Sequence, residues 1–348
     1  MLTRDDLDEA VARGIVDQTQ AAKLLDVGHE RMQGLRRAAG RDERFVFMRN
    51  FNELFVAIGC AQLGIATFFI VALAFVSIHV LAFAFGLAIL WGLAELLTGR
   101  LRLTLPSIVI AIFLVLLAGL AGIAFWLPGL DPTRYRDLGL FGLPAFINGT
   151  GAALLAASLF YWRFRLPFAL LLIAAAATAL LVSTLTSMAG APIVTRPALL
   201  AAGIASFAVA MWYDLSDRER LSRRADCAFW LHLIAGPLIV HSVVISIWPA
   251  GPLTPSIAVA ILTTMALFAL VALIVDRRAL LVSSLAYVGT TMSWGFNMFG
   301  SGTQSLLATF LILGGGVIVL GISWQSVRRL LLAWLPAMMV NRLPEPRT

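Results

Sequence analysis

Long apolar runs separated by short polar breaks dominate the pattern of the chain. They begin near Leu54 and recur almost to the C-terminus. A membrane-spanning helix needs about 20 mainly apolar residues, whereas the elements of a soluble core show alternating or amphipathic patterning. Runs of this length predict ten spans, at residues 54–75, 78–98, 106–127, 144–162, 167–188, 197–213, 227–248, 255–275, 279–298 and 303–323. We therefore expect an all-α, polytopic membrane bundle of about ten transmembrane helices.

The polar N-terminal region, residues 1–50, precedes the bundle of residues 51–323 and predicts short helices in the cytoplasm. Thr3 is a helix-capping residue type, and Gly14 marks a turn. Asp17 followed by Gln20 resembles a capping box, in which each residue satisfies a backbone amide of the other. We expect a helical hairpin, which is either a docking site for a protein partner or a solvated extension.

The C-terminal region, residues 324–348, predicts an interfacial amphipathic helix and a tail. Its apolar stretch, residues 330–340, is too short to cross a membrane and contains Pro336. Two arginines lie just before that stretch. We expect this segment to lie along the inner leaflet.

Basic residues fall almost entirely on one side of this topology. Lys and Arg concentrate on the cytoplasmic side of membrane proteins. With the N-terminus inside, only Arg134, Arg136 and Arg196 of the 26 Lys and Arg residues fall outside, and the other 23 fall in cytoplasmic segments. The bias predicts that both termini are cytoplasmic.

The composition changes which partners we expect. Hydrophobic residues make up 60% of the chain and charged residues 13%, against about 25% charged residues in ordinary soluble domains. The net charge is +7, but the basic side chains lie beside the spans, where anionic lipid headgroups bind them. Membrane lipids are therefore the expected partners, and nucleic acid is not.

Motifs for catalysis, cofactors and metals are missing from the sequence. It contains no HExxH, GxSxG or phosphate-binding loop, and its only lysine is Lys23. Cys60 and Cys227 form no CxxC motif. We expect no cofactor and no metal site.

Two histidines, His232 and His241, lie in one apolar run together with Pro237. On an ideal helix, positions nine apart are about 180° from each other and about 13.5 Å apart along the axis. Zinc-binding pairs on a helix are three or four residues apart. The two histidines are therefore predicted to lie in different neighbourhoods.

Polar residues within the spans fall into two layers by predicted depth. The inner layer is the candidate path for protons or a small solute, and its members are Glu53, Glu95, His232 and Asn52. The outer layer contains His79, His241, Asn148 and Asn297. An ionisable group in a span costs about 2.5–3.5 kcal/mol on insertion scales, so it usually faces the bundle interior or water. One interpretation is a polar axis through the bundle, with His232 near Glu53 or Glu95. In the other, the glutamates reach the headgroups and each histidine makes one interhelical hydrogen bond.

Glycines in two spans indicate close helix packing. Gly119 and Gly122 lie in the third predicted span, and Gly314, Gly315, Gly316 and Gly321 lie in the tenth. Small residues let transmembrane helices approach each other closely.

Three stretches carry a resemblance to a known group of proteins. They are Ala-Arg-Gly-Ile-Val-Asp-Gln-Thr-Gln-Ala at 12–21, Arg-Asn-Phe-Asn-Glu-Leu-Phe at 49–55, and Phe-Trp-Leu-His-Leu-Ile-Ala-Gly-Pro-Leu-Ile-Val-His at 229–241. In combination they resemble uncharacterised bacterial multi-pass membrane proteins, in which a short helical N-terminal region precedes many spans. The resemblance implies this architecture and a place in the bacterial inner membrane. It implies no particular activity.

Three functions remain open from the sequence. A transporter or permease for a small solute or protons requires a water-accessible polar cavity near the midplane. A membrane sensor, scaffold or assembly protein requires tight packing and a protein partner at the N-terminal helices. An intramembrane lipid-modifying enzyme could use His232 with Glu53 or Glu95 as acid and base, and requires a lateral opening.

Overall fold

Every regular element in the described part of the chain is a helix, as expected for an all-α bundle. The computed structural model describes residues 4–39, 51–74, 79–126, 144–189, 191–217, 222–300 and 302–336, together with 338 and 343. The α-helices are α1 Arg4–Ala12, α2 Gln18–Ala39, α3 Phe51–Ala74, α4 His79–Ala94, α5 Thr104–Trp126, α6 Pro144–Phe164, α7 Ala169–Ala189, α8 Ala191–Ser216, α9 Arg223–Ile247, α10 Pro255–Val275, α11 Val282–Asn297 and α12 Gly302–Leu332.

Nine helical segments within the described residues are long and apolar enough to cross a membrane. They coincide with nine of the ten predicted spans. The remaining prediction, residues 279–298, corresponds to a 3-10 turn, Arg278–Leu281, followed by α11. The 16 residues of α11 extend about 24 Å, which is less than the roughly 30 Å of a bilayer core.

The N-terminal hairpin forms around the predicted capping box. The backbone N–H of Gln20 donates to Asp17 Oδ1 over 2.7 Å, and the N–H of Asp17 donates to Gln20 Oε1 over 3.0 Å. Gly14 makes the preceding turn with φ of 69°, a conformation that favours glycine. The second helix is longer than expected, because α2 continues to Ala39. Thr3, the predicted first cap, lies outside the described residues.

The C-terminal end of α12 differs from the expected separate interfacial helix. This helix has no break at residue 323 and continues to Leu332. The reason is the spacing of Trp324, Arg328 and Leu332, which are four residues apart and therefore share one helix face. All three are buried against the protein, so the last turns of α12 belong to the packed bundle.

Two central helices organise the packing. In the first half of the bundle, α5 contacts α3, α4, α6 and α7. In the second half, α9 contacts α7, α8, α10 and α11. Phe168 and Trp230 pack edge to face across the two halves, with ring centroids 4.7 Å apart. The N-terminal end of α9 therefore touches both halves.

The glycines of α5 and those of α12, which were both predicted to allow close helix packing, differ in their surroundings. A Cβ on Gly122 would lie 2.7 Å from the carbonyl oxygen of Asn148, and one on Gly149 would lie 2.8 Å from that of Gly119. Close packing at Gly119 and Gly122 is thus confirmed, with α6 as the neighbour. The glycines of α12 differ, because a Cβ on Gly315 or its neighbours would meet no described atom within 4 Å.

Candidate functional site

Three charged or titratable side chains meet at the ends of α8, α9 and α10. His232 Nε2 lies 2.9 Å from Asp214 Oδ2. Arg277 Nε donates to the same oxygen over 3.1 Å, and Arg277 Nη2 donates to Asp214 Oδ1. The exposed fractions are 0% for His232, 3% for Asp214 and 2% for Arg277. We call this group the Asp–His–Arg cluster.

Local structure at the helix ends positions each member of the cluster. Asp214 lies two residues before the end of α8, and His232 lies in the third turn of α9. Asp276 ends α10 in the left-handed conformation, with φ of 59°. Aspartate tolerates this conformation better than most residues. The turn brings Arg277, the next residue, onto the carboxylate of α8 and the carbonyl of Ala225 at 3.3 Å.

Hydrogen-bond chemistry assigns the proton on His232. A carboxylate bound to arginine by two N–H groups is ionised, and an ionised carboxylate only accepts hydrogen bonds. His232 Nε2 must therefore carry a hydrogen, and Nδ1 is the ring atom left to gain or lose a proton. With a neutral imidazole, Asp214 and Arg277 balance each other. Protonation would add one positive charge to a site closed to solvent.

The neighbouring segment connects this cluster to α12. Asp276 Oδ1 accepts hydrogen bonds from Trp324 Nε1 at 2.8 Å and from Gln325 Nε2 at 3.4 Å. The Arg278 guanidinium lies over the Trp324 ring, 5.4 Å from its centroid. Arg328 Nε donates to the carbonyl of Leu273 over 3.1 Å. Residues 276–278 therefore tie α8, α9, α10 and α12 together at one end of the bundle.

Two members of the predicted inner layer, His232 and Glu95, have hydrogen-bond partners outside that layer. The carboxylate bonded to His232 Nε2 is Asp214, which was not a predicted candidate. Glu95 instead accepts from Arg163 Nε at 2.9 Å and Arg163 Nη2 at 2.7 Å. Glu53 is buried in the first turn of α3, and Asn52 beside it is exposed. A position of Glu53 beside His232 stays a prediction.

The predicted outer layer is spread over several helices. His241 Nδ1 is hydrogen-bonded to Tyr287 Oη of α11, and His241 is exposed. Asn148 is exposed and donates to the carbonyl of Pro144 in its own helix at 2.9 Å. Asn297 is exposed at the end of α11. His79 begins α4, and its side chain is outside the described part.

The two histidines of α9 have different partners, Asp214 on α8 for His232 and Tyr287 on α11 for His241. Over the described residues, no three His, Cys, Asp or Glu side chains are grouped so that they could hold a metal ion.

Sequence reasoning missed Asp214 and Arg277. Asp214 directly follows one predicted span, and Arg277 lies two residues after another. An arginine at a cytoplasmic span end is already expected from the concentration of Lys and Arg on that side of the membrane, so Arg277 did not stand out. The concentration of Lys and Arg on one side of the membrane does not account for an acidic residue at the end of a span. The carboxylate was therefore the feature that could have been recognised in the sequence. That signal would have added Asp214 and Asp276 to the candidates.

Comparison of the chain with protein-family models, curated proteins and solved structures yields no match.

Proposed function

We propose that this multi-pass membrane protein is transporter-like and moves protons, alone or coupled to a small solute, through the Asp–His–Arg cluster. The observation that carries the proposal is the hydrogen bond between His232 and Asp214 within nearly complete burial. Ionisable groups inside spans are costly and mark proton or ion pathways in many membrane proteins. Histidine is the side chain whose ordinary titration range lies closest to physiological pH.

Each residue of the cluster has a separate role in this proposal. His232 accepts a proton at Nδ1 and releases it again, so the imidazole returns to its neutral form after each transfer. Asp214 keeps Nε2–H in place and offsets the charge of the imidazolium. Arg277 is a positioning residue, because its two N–H groups orient the carboxylate toward α9.

Proton flux into proteoliposomes tests the proposal. Purified protein is reconstituted with a pH-sensitive dye inside, and a potassium gradient with valinomycin sets the potential. We expect flux above that of empty vesicles, and His232→Ala should reduce it by about 100-fold, a typical contribution of one proton-transferring group. Glu95→Gln, which changes an exposed carboxylate, is the matched control. Flux equal to that of empty vesicles would reject the function.

We further propose ten spans with both termini cytoplasmic, in the inner membrane of a bacterium. The 3-10 turn and α11 together contain 20 helical residues, enough for a short span when the adjacent turns are included. Reporter fusions after Arg134 and after Arg220 should report opposite compartments. The same compartment for both would contradict this topology.

A scaffold or assembly role is the second candidate, and the N-terminal hairpin favours it. Ile15 and Val27 are exposed by 69% and 60%, so both side chains are accessible to a protein partner. This role predicts a specific photocrosslink from position 15 in cells, which Val27→Glu removes, and it predicts no proton flux. The enzyme hypothesis paired His232 with Glu53 or Glu95. Glu95 is paired with Arg163, so the pairing of His232 with Glu53 is the form of this hypothesis that stays a prediction.

A further inference from the structure

One face of the segment after α10 runs from the Asp–His–Arg cluster to His241. Arg277 bonds to Asp214, and Tyr287 Oη bonds to His241. Between them, a Cβ on Gly236 of α9 would lie 3.1 Å from the Leu280 carbonyl oxygen and 3.5 Å from Ser283 Oγ. The positions 277, 280, 283 and 287 are three or four residues apart, so they form one stripe along the 3-10 turn and α11.

This stripe connects two sites that α9 alone keeps apart. On α9, His232 and His241 point to opposite faces and lie about 13.5 Å apart along the axis. The stripe of α11 crosses α9 obliquely, because it begins beside His232 and ends beside His241. At the crossing, α9 contains Gly236 and Pro237. Pro237 has no N–H, so the carbonyl of Leu233 loses its usual helical donor.

Ser283 lies on the stripe at this crossing, and Ser284 is the next residue in α11. Ser283 Oγ and Ser284 Oγ are both buried and have no hydrogen-bond partner among the described atoms. The Ser284 side chain is 5% exposed. Buried polar groups are nearly always satisfied, by ordered water where the protein offers no partner. The combination of two such hydroxyls and a proline-freed carbonyl is typical of a hydrated internal site.

We infer that protons cross the second half of the bundle between α9 and α11, from His232 past Ser283 and Ser284 to His241. The inference rests on the proposed function and specifies its substrate and route. Ordered water between the hydroxyls supplies the hydrogen bonds that the roughly 13.5 Å separation requires. When a proton leaves His232, each group along the line of hydrogen bonds passes one proton to the next, and one proton leaves His241. No group on the route therefore keeps a net charge.

His241 suits the outer end of this route. It is exposed, unlike His232. It lies six residues before the end of α9 at Ile247, about 9 Å along the helix axis. An imidazole at this depth exchanges protons with the outer aqueous phase through Tyr287 or directly.

The test measures proton flux in proteoliposomes for the double variant Ser283→Ala and Ser284→Ala. We expect about a tenfold loss, because removing hydrogen-bonding stations raises the barrier by roughly 1.4 kcal/mol. Thr290→Ala is the matched control, since Thr290 lies on the exposed side of α11 and its hydroxyl bonds back to Ala286 in the same helix. It should leave flux within about twofold of wild type. Ser284→Thr, which keeps the hydroxyl, should retain more flux than Ser284→Ala.

The possible results distinguish a failure of the proposed proton route from a failure of the proposed function. If His232→Ala abolishes flux but the double serine variant behaves like Thr290→Ala, the proposed function stands and this route is overturned. If wild-type vesicles show no flux, both are overturned. The double variant should elute like wild type and melt within a few degrees of it, because the two hydroxyls bond to water and to no described protein atom. A loss of flux in a correctly folded double variant supports the route.

Discussion

Two arginine–carboxylate pairs, one in each half of the bundle, have the same chemistry and opposite surroundings. Glu95 and Arg163 join the π-helical turn Glu95–Arg100, which follows α4, to α6 and remain 37% and 49% exposed. Asp214 and Arg277 join α8 to the end of α10 and are each 3% exposed in their side chains. Exposed pairs contribute about 0–1 kcal/mol to stability. In a buried pair, loss of one partner leaves a charge without compensation and costs about 3–5 kcal/mol.

The surroundings explain why only the second pair is a candidate site. The first half packs an apolar core around α5, including Leu90, Ile110, Leu117 and Phe160, and its ion pair lies outside that core. In the second half, the ion pair lies inside and holds a histidine. Because His232 is buried, no solvent screens the charge that protonation adds to its imidazole. The protonation state of His232 therefore changes the electrostatic energy of the cluster.

The largest expected effect comes from removing Arg277. Arg277→Ala should destabilise the protein by about 3–5 kcal/mol, since Asp214 would stay buried without its counterion. Arg163→Ala, the same change in the exposed pair, should cost about 0–1 kcal/mol. Unfolding of both variants in detergent measures the difference. Equal losses would show that burial does not distinguish the two pairs.

A glycine substitution compares the packing of the two halves. Gly149→Ala should cost about 1–3 kcal/mol by overpacking, because the new Cβ would lie 2.8 Å from the carbonyl oxygen of Gly119. Gly315→Ala, on the open face of α12, should be neutral or slightly stabilising. The midpoint of thermal unfolding reports both. A destabilised Gly315→Ala would indicate that another helix covers this face.

Trp324→Phe tests the link between the cluster and α12. The indole N–H donates to Asp276 in a buried position, so its loss should cost about 1–3 kcal/mol. Trp334→Phe is the control, because Trp334 is 85% exposed. The same unfolding measurement applies. We expect Trp324→Phe to lower proton flux less than His232→Ala, since Trp324 contacts the segment beside the cluster and not His232 itself.

The smallest effect concerns Asp17, a fully exposed carboxylate outside the spans. The Thr19 hydroxyl and then the Gln20 backbone N–H donate to it and lower its pKa below the usual value. A lowered folded-state pKa means that the carboxylate stabilises the start of α2 above the pKa of the unfolded state, and that this contribution disappears as pH falls through the folded pKa. The Gln20 amide resonance should therefore shift on acidification in wild type. In Asp17→Asn, which caps without titrating, it should not.

The local parts of the fold were predictable. Asp17 and Gln20 are three residues apart, so their reciprocal capping depends only on the sequence between them. The length and apolarity of the runs predicted the helices, because a span must satisfy its own backbone hydrogen bonds. The sequence did not predict where α12 ends, because that boundary depends on packing. Residues 324–332 read as interfacial, but α12 continues through them because Trp324, Arg328 and Leu332 are buried on one face.

The candidate site was predicted only in part. The sequence pointed to His232, because a histidine in a span needs a partner. Predicted depth favoured Glu53 or Glu95 as that partner, and depth contains no information about which helices are neighbours. The hydrogen-bonded carboxylate is Asp214, which lies at the end of a predicted span and was not among the candidates.

The sequence by itself determined that this protein is built of membrane-spanning helices, roughly where most of them lie, and the Asp17–Gln20 cap of its N-terminal hairpin, because each depends on composition or on residues close together in the chain. Only the tertiary structure decided which charges meet. Asp214 lies 18 residues from His232 and 63 from Arg277, and the pattern of apolar runs is the same whichever helices pack together. The rotation of α8 and α9 about their axes and the left-handed turn at Asp276 bring these three side chains into one buried cluster.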